Sequence, residues 1–352
     1  MKRKPLVIGD LKAELPLIQG GMGVGISLSG LAGAVAAEGG IGMISTAQIG
    51  FREPEFDAAP IETNLKCIGK ELARAREIAP GGVIGCNIMV ATRRYEDYVR
   101  AAAKAGADLI VSGAGLPAKL PELVRGFKTK IGPIVSSLKS AAVICKLWDR
   151  HYQTAPDLVI IEGPKAGGHL GFKEEELADM EALDYDSEVR RIADHVRQYG
   201  EKYGKKIPVI MAGGIYDRRD VAHYLDELGL DGVQAATRFV TTEECDAPDA
   251  FKQAYLDVKK EDIVITKSPV GMPGRAILNK FLREVRKRPR PVRRCHQCLE
   301  KCSPRELPYC ITDALLAAAR GDVREALLFC GTNAYRAERI ETVHEVVADL
   351  MG

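Results

Sequence analysis

Residues 208–236 read PVIMAGGIYDRRDVAHYLDELGLDGVQAA. Two short runs, Pro208–Ala212 and Gly232–Ala236, flank a charged segment of helical pattern. The runs are nearly continuous in apolar residues rather than alternating, as expected of strands covered on both faces. Both end in small residues, where a strand can turn out toward a helix. Working outward, the same unit recurs upstream near Leu15–Gln19, Ile41–Ser45, Val83–Asn87, Asp108–Ser112, Pro133–Ser137 and Asp157–Glu162. Most starts lie about 25 residues apart, room for one strand, one helix and two short loops. Eight such units predict an α/β fold, a (β/α)8 TIM barrel, with a doubly wound open sheet as the competitor. Past the eighth run the pattern changes. Thr241–Lys267 is acidic and helical in pattern, and Thr266–Gly274 is a Pro/Gly loop with the character of a lid. The expected organisation is a barrel core over 1–240, a lid and helical extension over 241–290, and a cysteine-containing segment with C-terminal helices over 291–352. Of those helices, Ile311–Cys330 and Glu341–Met351 are expected to return to the outer ring.

Composition narrows the class. The 352 residues are 46% hydrophobic and 28% charged, enough for a large core and against a disordered chain. Lys plus Arg number 50 against 48 Asp plus Glu, so no whole-molecule field favours nucleic acid or an acidic membrane. The charge-free stretch from Leu15 to Ala37 carries six glycines and Pro16, which suits strand, turn and helix better than a membrane span. Met1-Lys-Arg-Lys-Pro5 lacks an apolar stretch of signal-peptide length, and a cytoplasmic location is expected. Between Arg286 and Arg294 six cations crowd nine residues with two prolines, read as a solvated connector.

In barrels the chemistry gathers where strands end, and the loops after strands seven and eight often hold phosphate. Here those loops are Gly213-Gly214, whose missing Cβ atoms let amides approach an anion, and Ala236-Thr237, which adds a hydroxyl. Strand one runs into Gln19-Gly-Gly-Met-Gly-Val-Gly25, where Gly21, Met22 and Gly23 can lie against a flat ring; the spacing is not the dinucleotide fingerprint. Asn87 ends strand three with an amide suited to a ring carbonyl or to a turn. Strand six ends in Gly163-Pro-Lys-Ala-Gly-Gly-His169, where Gly167 and Gly168 free the backbone beside a histidine able to move a proton near neutrality. His151, His195, His223 and His344 read as surface.

Four of nine cysteines, Cys295, Cys298, Cys302 and Cys310, form C-x2-C-x3-C-x7-C. Three close thiols followed by a fourth is a way to wrap a [4Fe–4S] cluster; zinc and unmetallated thiols are the alternatives. Cys67, Cys86 and Cys145 read as core, and Cys330 as core or as a thiol near the site.

Pro16-Leu-Ile-Gln-Gly-Gly-Met22, Ala166-Gly-Gly-His-Leu-Gly171, Met211-Ala-Gly-Gly-Ile215 and Ala236-Thr-Arg-Phe239 resemble, in order and over nearly the whole barrel, the nitronate monooxygenase family, which includes the similar enoyl-acyl-carrier-protein reductase II enzymes. The resemblance implies FMN across the barrel mouth, its phosphate on Gly213, Gly214 and Thr237 and its ring on Gly21, Met22, Asn87 and Gly168, with His169 as catalytic histidine. It implies oxidation of alkyl nitronates with O2 to carbonyl compounds and nitrite. The alternatives are NAD(P)H-dependent reduction of an enoyl thioester, with an acyl carrier protein as partner, and a flavin or cluster sensor without catalysis. A small-molecule substrate is expected, with no nucleic acid or membrane partner; a homodimer is left open. Gly115-Leu-Pro117 and Gly271-Met-Pro-Gly-Arg275 resemble family loops near the substrate. Pro164-Lys165 replaces a hydrophobic-acidic pair, and the cysteine segment departs from the family pattern.

Overall fold

Runs of Val, Ile and Leu bounded by small residues become strands because they bury both faces. A computed structural model describes residues 3–352; Met1 and Lys2, part of the amino-terminal reading, lie outside them. A hairpin comes first, β1 (Leu6–Ile8) against β2 (Leu11–Ala13). Then β3 (Leu17–Gln19), β4 (Ile41–Ser45), β5 (Val83–Asn87), β6 (Leu109–Ser112), β7 (Lys130–Val135) and β8 (Val159–Glu162) follow. After the two-residue β9 (Gly168–His169) come β10 (Val209–Ala212) and β11 (Gly232–Ala235). The order β3-β4-β5-β6-β7-β8-β10-β11 closes on itself and every pair is parallel, as a (β/α)8 barrel requires.

Two cores result. Ile18, Ile41, Met43, Val83, Leu109, Val111, Leu158, Ile160 and Ile210 fill the barrel, and Leu6, Ile8 and Ala13 of the hairpin join them. The larger core lies between strands and helices, where Gly42 lets the backbone approach: a Cβ there would stand 1.8 Å from the Ala32 carbonyl oxygen.

The fifth strand departs from expectation. It spans Lys130–Val135, not Pro133–Ser137, with Pro133 inside the ladder opposite Ser112. Ser137 has left the sheet to cap the helix Leu138–Tyr152, accepting the Ser140 N–H. Beyond β11 the acidic stretch is only partly helical, at Asp249–Asp257. Ile263-Val-Ile-Thr-Lys267 is a strand, β12, pairing antiparallel with β13 (Pro273–Ile277), which in turn pairs with β9. β-Branched residues outweigh the charge pattern there. Helix 311–330 is also shorter than expected: it ends at Ala319, before Gly321 at φ +86°, and Phe329 bridges to Ala276. The last helix, Val343–Met351, packs on the helices Ser29–Ala37 and Arg218–Ala222 and so closes the outer ring. Among the described residues no helix is long and apolar enough to cross a membrane.

Candidate active site

The inward face of each strand ends in a polar or small residue at the carboxyl rim. Side chains alternate along a strand, so the inward Ile41 and Met43 lead to Ser45, Val83 leads to Asn87, and Ile160 leads to Glu162. Ser45 and Asn87 are register partners, as are Glu162 with Ala212 and Ala212 with Gln234. The strand-one loop lies over them. A Cβ on Gly21 would stand 2.4 Å from the Asn87 Cβ, and one on Gly23 would meet the Ser45 hydroxyl at 2.7 Å. Met22 is held beside it, its N–H donating to the Ser27 hydroxyl at 2.7 Å.

Farther round the same rim Gly213 (φ +95°) and Gly214 (φ +89°) adopt left-handed conformations in which a side chain would also collide, with the Ala166 nitrogen and the Lys165 stem respectively. Ala236 precedes the short helix Thr237–Val240. The Thr237 hydroxyl oxygen accepts the Gly331 N–H at 2.9 Å, which leaves its own hydrogen to give. Asn333 Nδ2 donates to the Gly214 carbonyl at 2.8 Å, and the Thr332 N–H to the Lys165 carbonyl at 3.2 Å. Residues 331–333, which sequence reasoning missed, therefore bind three rim loops together.

His169 lies in the small β12-β13-β9 sheet, opposite Gly274. Its Nε2 is 2.7 Å from the Ser268 hydroxyl, and the Phe329 ring stands edge-on at 5.0 Å. Gly167 is packed against the Cys330 backbone, whereas a Cβ on Gly168 would meet nothing within 4 Å. Burial pushes the imidazole down to about 4, so it is neutral at pH 7. The loop carrying it is pinned by Arg275, buried, whose guanidinium donates to the carbonyls of Pro164 at 2.7 Å and of Ala166.

The sequence description of nitronate monooxygenases matches residues 4–352. The chain belongs to the nitronate monooxygenase family. It is 25% identical over 307 residues to the "probable nitronate monooxygenase" of Staphylococcus saprophyticus, 81% of each chain. The corresponding protein of Staphylococcus aureus strain Newman is 35% identical over 129 residues, 37% of this chain and 34% of that one. In fold it is similar to FabK from Thermotoga maritima (24% identity, 96% and 92% coverage, TM-score 0.71). It is likewise similar to nitroalkane oxidase from Streptomyces ansochromogenes (22%, 96% and 95%, 0.68). This family member is an oxidoreductase.

Two polar residues on the floor of its barrel mouth escaped the sequence analysis. Among the described residues Gln234 Oε1 is buried with no hydrogen-bond partner. Burial raises the Glu162 carboxyl to about 7. A polar residue inside an otherwise apolar strand was the available signal. Lys165, where the sequence departs from the family pattern, is exposed and its stem lies over Gly214; burial is what moves His169. His195 and His223 are half-buried rather than surface residues, His223 lying 2.8 Å from both Asp186 and Glu227. Cys67, Cys86, Cys145 and Cys330 are buried. The basic connector is partly tied down: Arg290 pairs with Glu284 and Glu325 at 2.5 Å, and Arg294 with Asp57 at 3.1 Å.

Proposed function

We propose that the chain is an FMN-dependent enzyme that oxidises alkyl nitronates with O2 to carbonyl compounds and nitrite. The family implies FMN, and the residues suit it. An orphaned Gln234 carbonyl faces a mouth walled by Gly21, Met22, Gly23, Asn87, Gly167 and Gly168. Gly213, Gly214, Ala236 and Thr237 offer amides and a hydroxyl to a phosphate. When bound, the flavin supplies the redox chemistry.

The observation that carries the reading is the neutral, enclosed imidazole of His169. Neutral imidazole has one N–H to donate, and a bond to an anionic nitronate oxygen is charge-assisted. Partial burial of the ring shields that bond from water and makes it stronger. The same burial makes His169 a weak base, so the reading favours a substrate that arrives as nitronate over one whose α-proton must be removed. Ser268 fixes the ring, and Arg275 fixes the loop behind it.

The test is oxygen uptake with an alkyl nitronate and no NADH, with nitrite measured as product. Oxidation of NADH under nitrogen that depends on an enoyl thioester, with no nitronate turnover, would replace this reading with the reductase.

A further inference from the structure

Cys295, Cys298, Cys302 and Cys310 belong to a stretch, 288–310, that forms neither helix nor strand. It is nevertheless fixed in place. Leu299 bridges to Thr92, the Arg93 N–H donates to the Cys298 carbonyl at 3.1 Å, and the Glu300 N–H to the Ala91 carbonyl at 3.0 Å. These contacts lay it on the loop after β5. The Arg294–Asp57 pair at 3.1 Å and the His296 ring stacked on Phe56 at 6.1 Å tie it to the loop after β4. Both loops leave the carboxyl ends of their strands, so the cysteines sit at the same end of the barrel as His169.

The four cysteines are drawn together by the loop's own geometry: His296, Cys310 and Asp313 hold their donor atoms within 4.8 Å of one another, which sets Cys310 beside the turn that carries Cys295 and Cys298. Gln297, in the left-handed conformation at φ +52°, tightens the turn between the first two. Cys310 is the residue before the helix Ile311–Ala319, whose leading N–H groups favour a thiolate there.

We propose that these four cysteines ligate a [4Fe–4S] cluster at the rim of the barrel mouth. Ligation releases the four thiol protons, while two ferrous irons, two ferric irons and four sulfides come from outside the chain. Zinc fits less well. A tetrahedral ion with Zn–S of about 2.3 Å sets its sulfurs ~3.8 Å apart. Among the described residues the one trio of metal-ligating side chains with donor atoms all within 4.8 Å is His296, Cys310 and Asp313, with a single sulfur. In that trio His296 Nε2 is already engaged by Asp313 at 2.6 Å. Sulfurs carried by one short loop, yet not gathered on one point, match a cluster whose irons stand between them.

The site is independent of the flavin reading, so FMN is measured separately. The full-length protein is purified under nitrogen, reconstituted with equal parts of ferrous and ferric iron and with sulfide, and analysed for iron, acid-labile sulfide and zinc. About four irons and about four sulfides per chain are expected. Cys298→Ser and the more accessible Cys302→Ser should each lose at least half of the iron while circular dichroism and FMN content hold. Cys67→Ser should lose none. One zinc per chain, iron unaffected by Cys302→Ser, or no iron after reconstitution would overturn the proposal.

Discussion

His169 and Ser268 stand 2.7 Å apart, ring nitrogen to hydroxyl, across 99 residues of sequence. The serine opens the turn between β12 and β13, where the Met272 carbonyl accepts its N–H at 3.0 Å. The β12-β13 hairpin therefore orients the candidate catalytic ring as well as covering it.

Ser268→Ala should keep FMN and lower kcat/KM for a nitronate about ten-fold, the value of one hydrogen bond that holds a ring in position. Steady-state oxygen uptake checks this. Unchanged kinetics would make the serine a hairpin residue only.

His169→Ala should keep FMN and lose two or more orders of magnitude in turnover. In the unaltered protein the pH profile separates burial from an ordinary imidazole. A ring held down to about 4 is neutral throughout pH 5–7, so kcat/KM for a preformed nitronate should be flat there and fall only below pH 5. An acid limb at about 6.5 would contradict the enclosure.

Gly214→Val tests the phosphate loop. At φ +89°, with the Lys165 stem 3.0 Å from where its Cβ would stand, a branched side chain must shift the turn that offers amides to phosphate. The Kd for FMN should rise more than ten-fold while far-ultraviolet circular dichroism stays the same. Equal affinity in a titration would remove this loop from the cofactor site.

Glu162 predicts a pH-dependent stability. Its carboxyl is raised to about 7 in the folded chain, from the usual 4.5. The folded state therefore holds the proton more tightly, and the stabilisation, complete below pH 4.5, is lost as pH rises toward 7. Glu162→Gln should be little changed at pH 4.5 and more stable than the parent at pH 8, by up to about 3 kcal/mol. Urea unfolding of the FMN-free protein at the two pH values measures it. A parallel pair of stability curves would show that the carboxyl is solvated.

Much of the barrel was legible because burial on both faces writes itself as continuous apolar runs: Ile41–Ser45 and Val83–Asn87 form at the expected bounds. The fifth strand was misplaced because proline reads as a strand's beginning, whereas Pro133 lies within the ladder. The acidic stretch hid β12 because its strand character emerges only on pairing with β13. Glycines ahead of His169 and after β10 were legible as turns at a strand's end, and Gly168, Gly213 and Gly214 take positive φ there.

Local sequence thus determined the eight-strand repeat, the family and the glycine-lined rim, because each is a property of neighbouring residues along the chain. Only the tertiary structure decided that Ser268 and Phe329 meet His169, that Gly331 and Asn333 join the loops after β11 and β10, and that Glu162 and Gln234 point into the mouth. Those facts depend on barrel closure and on the return of distant segments. Desolvation by that packing sets the protonation of His169, and no motif encodes it.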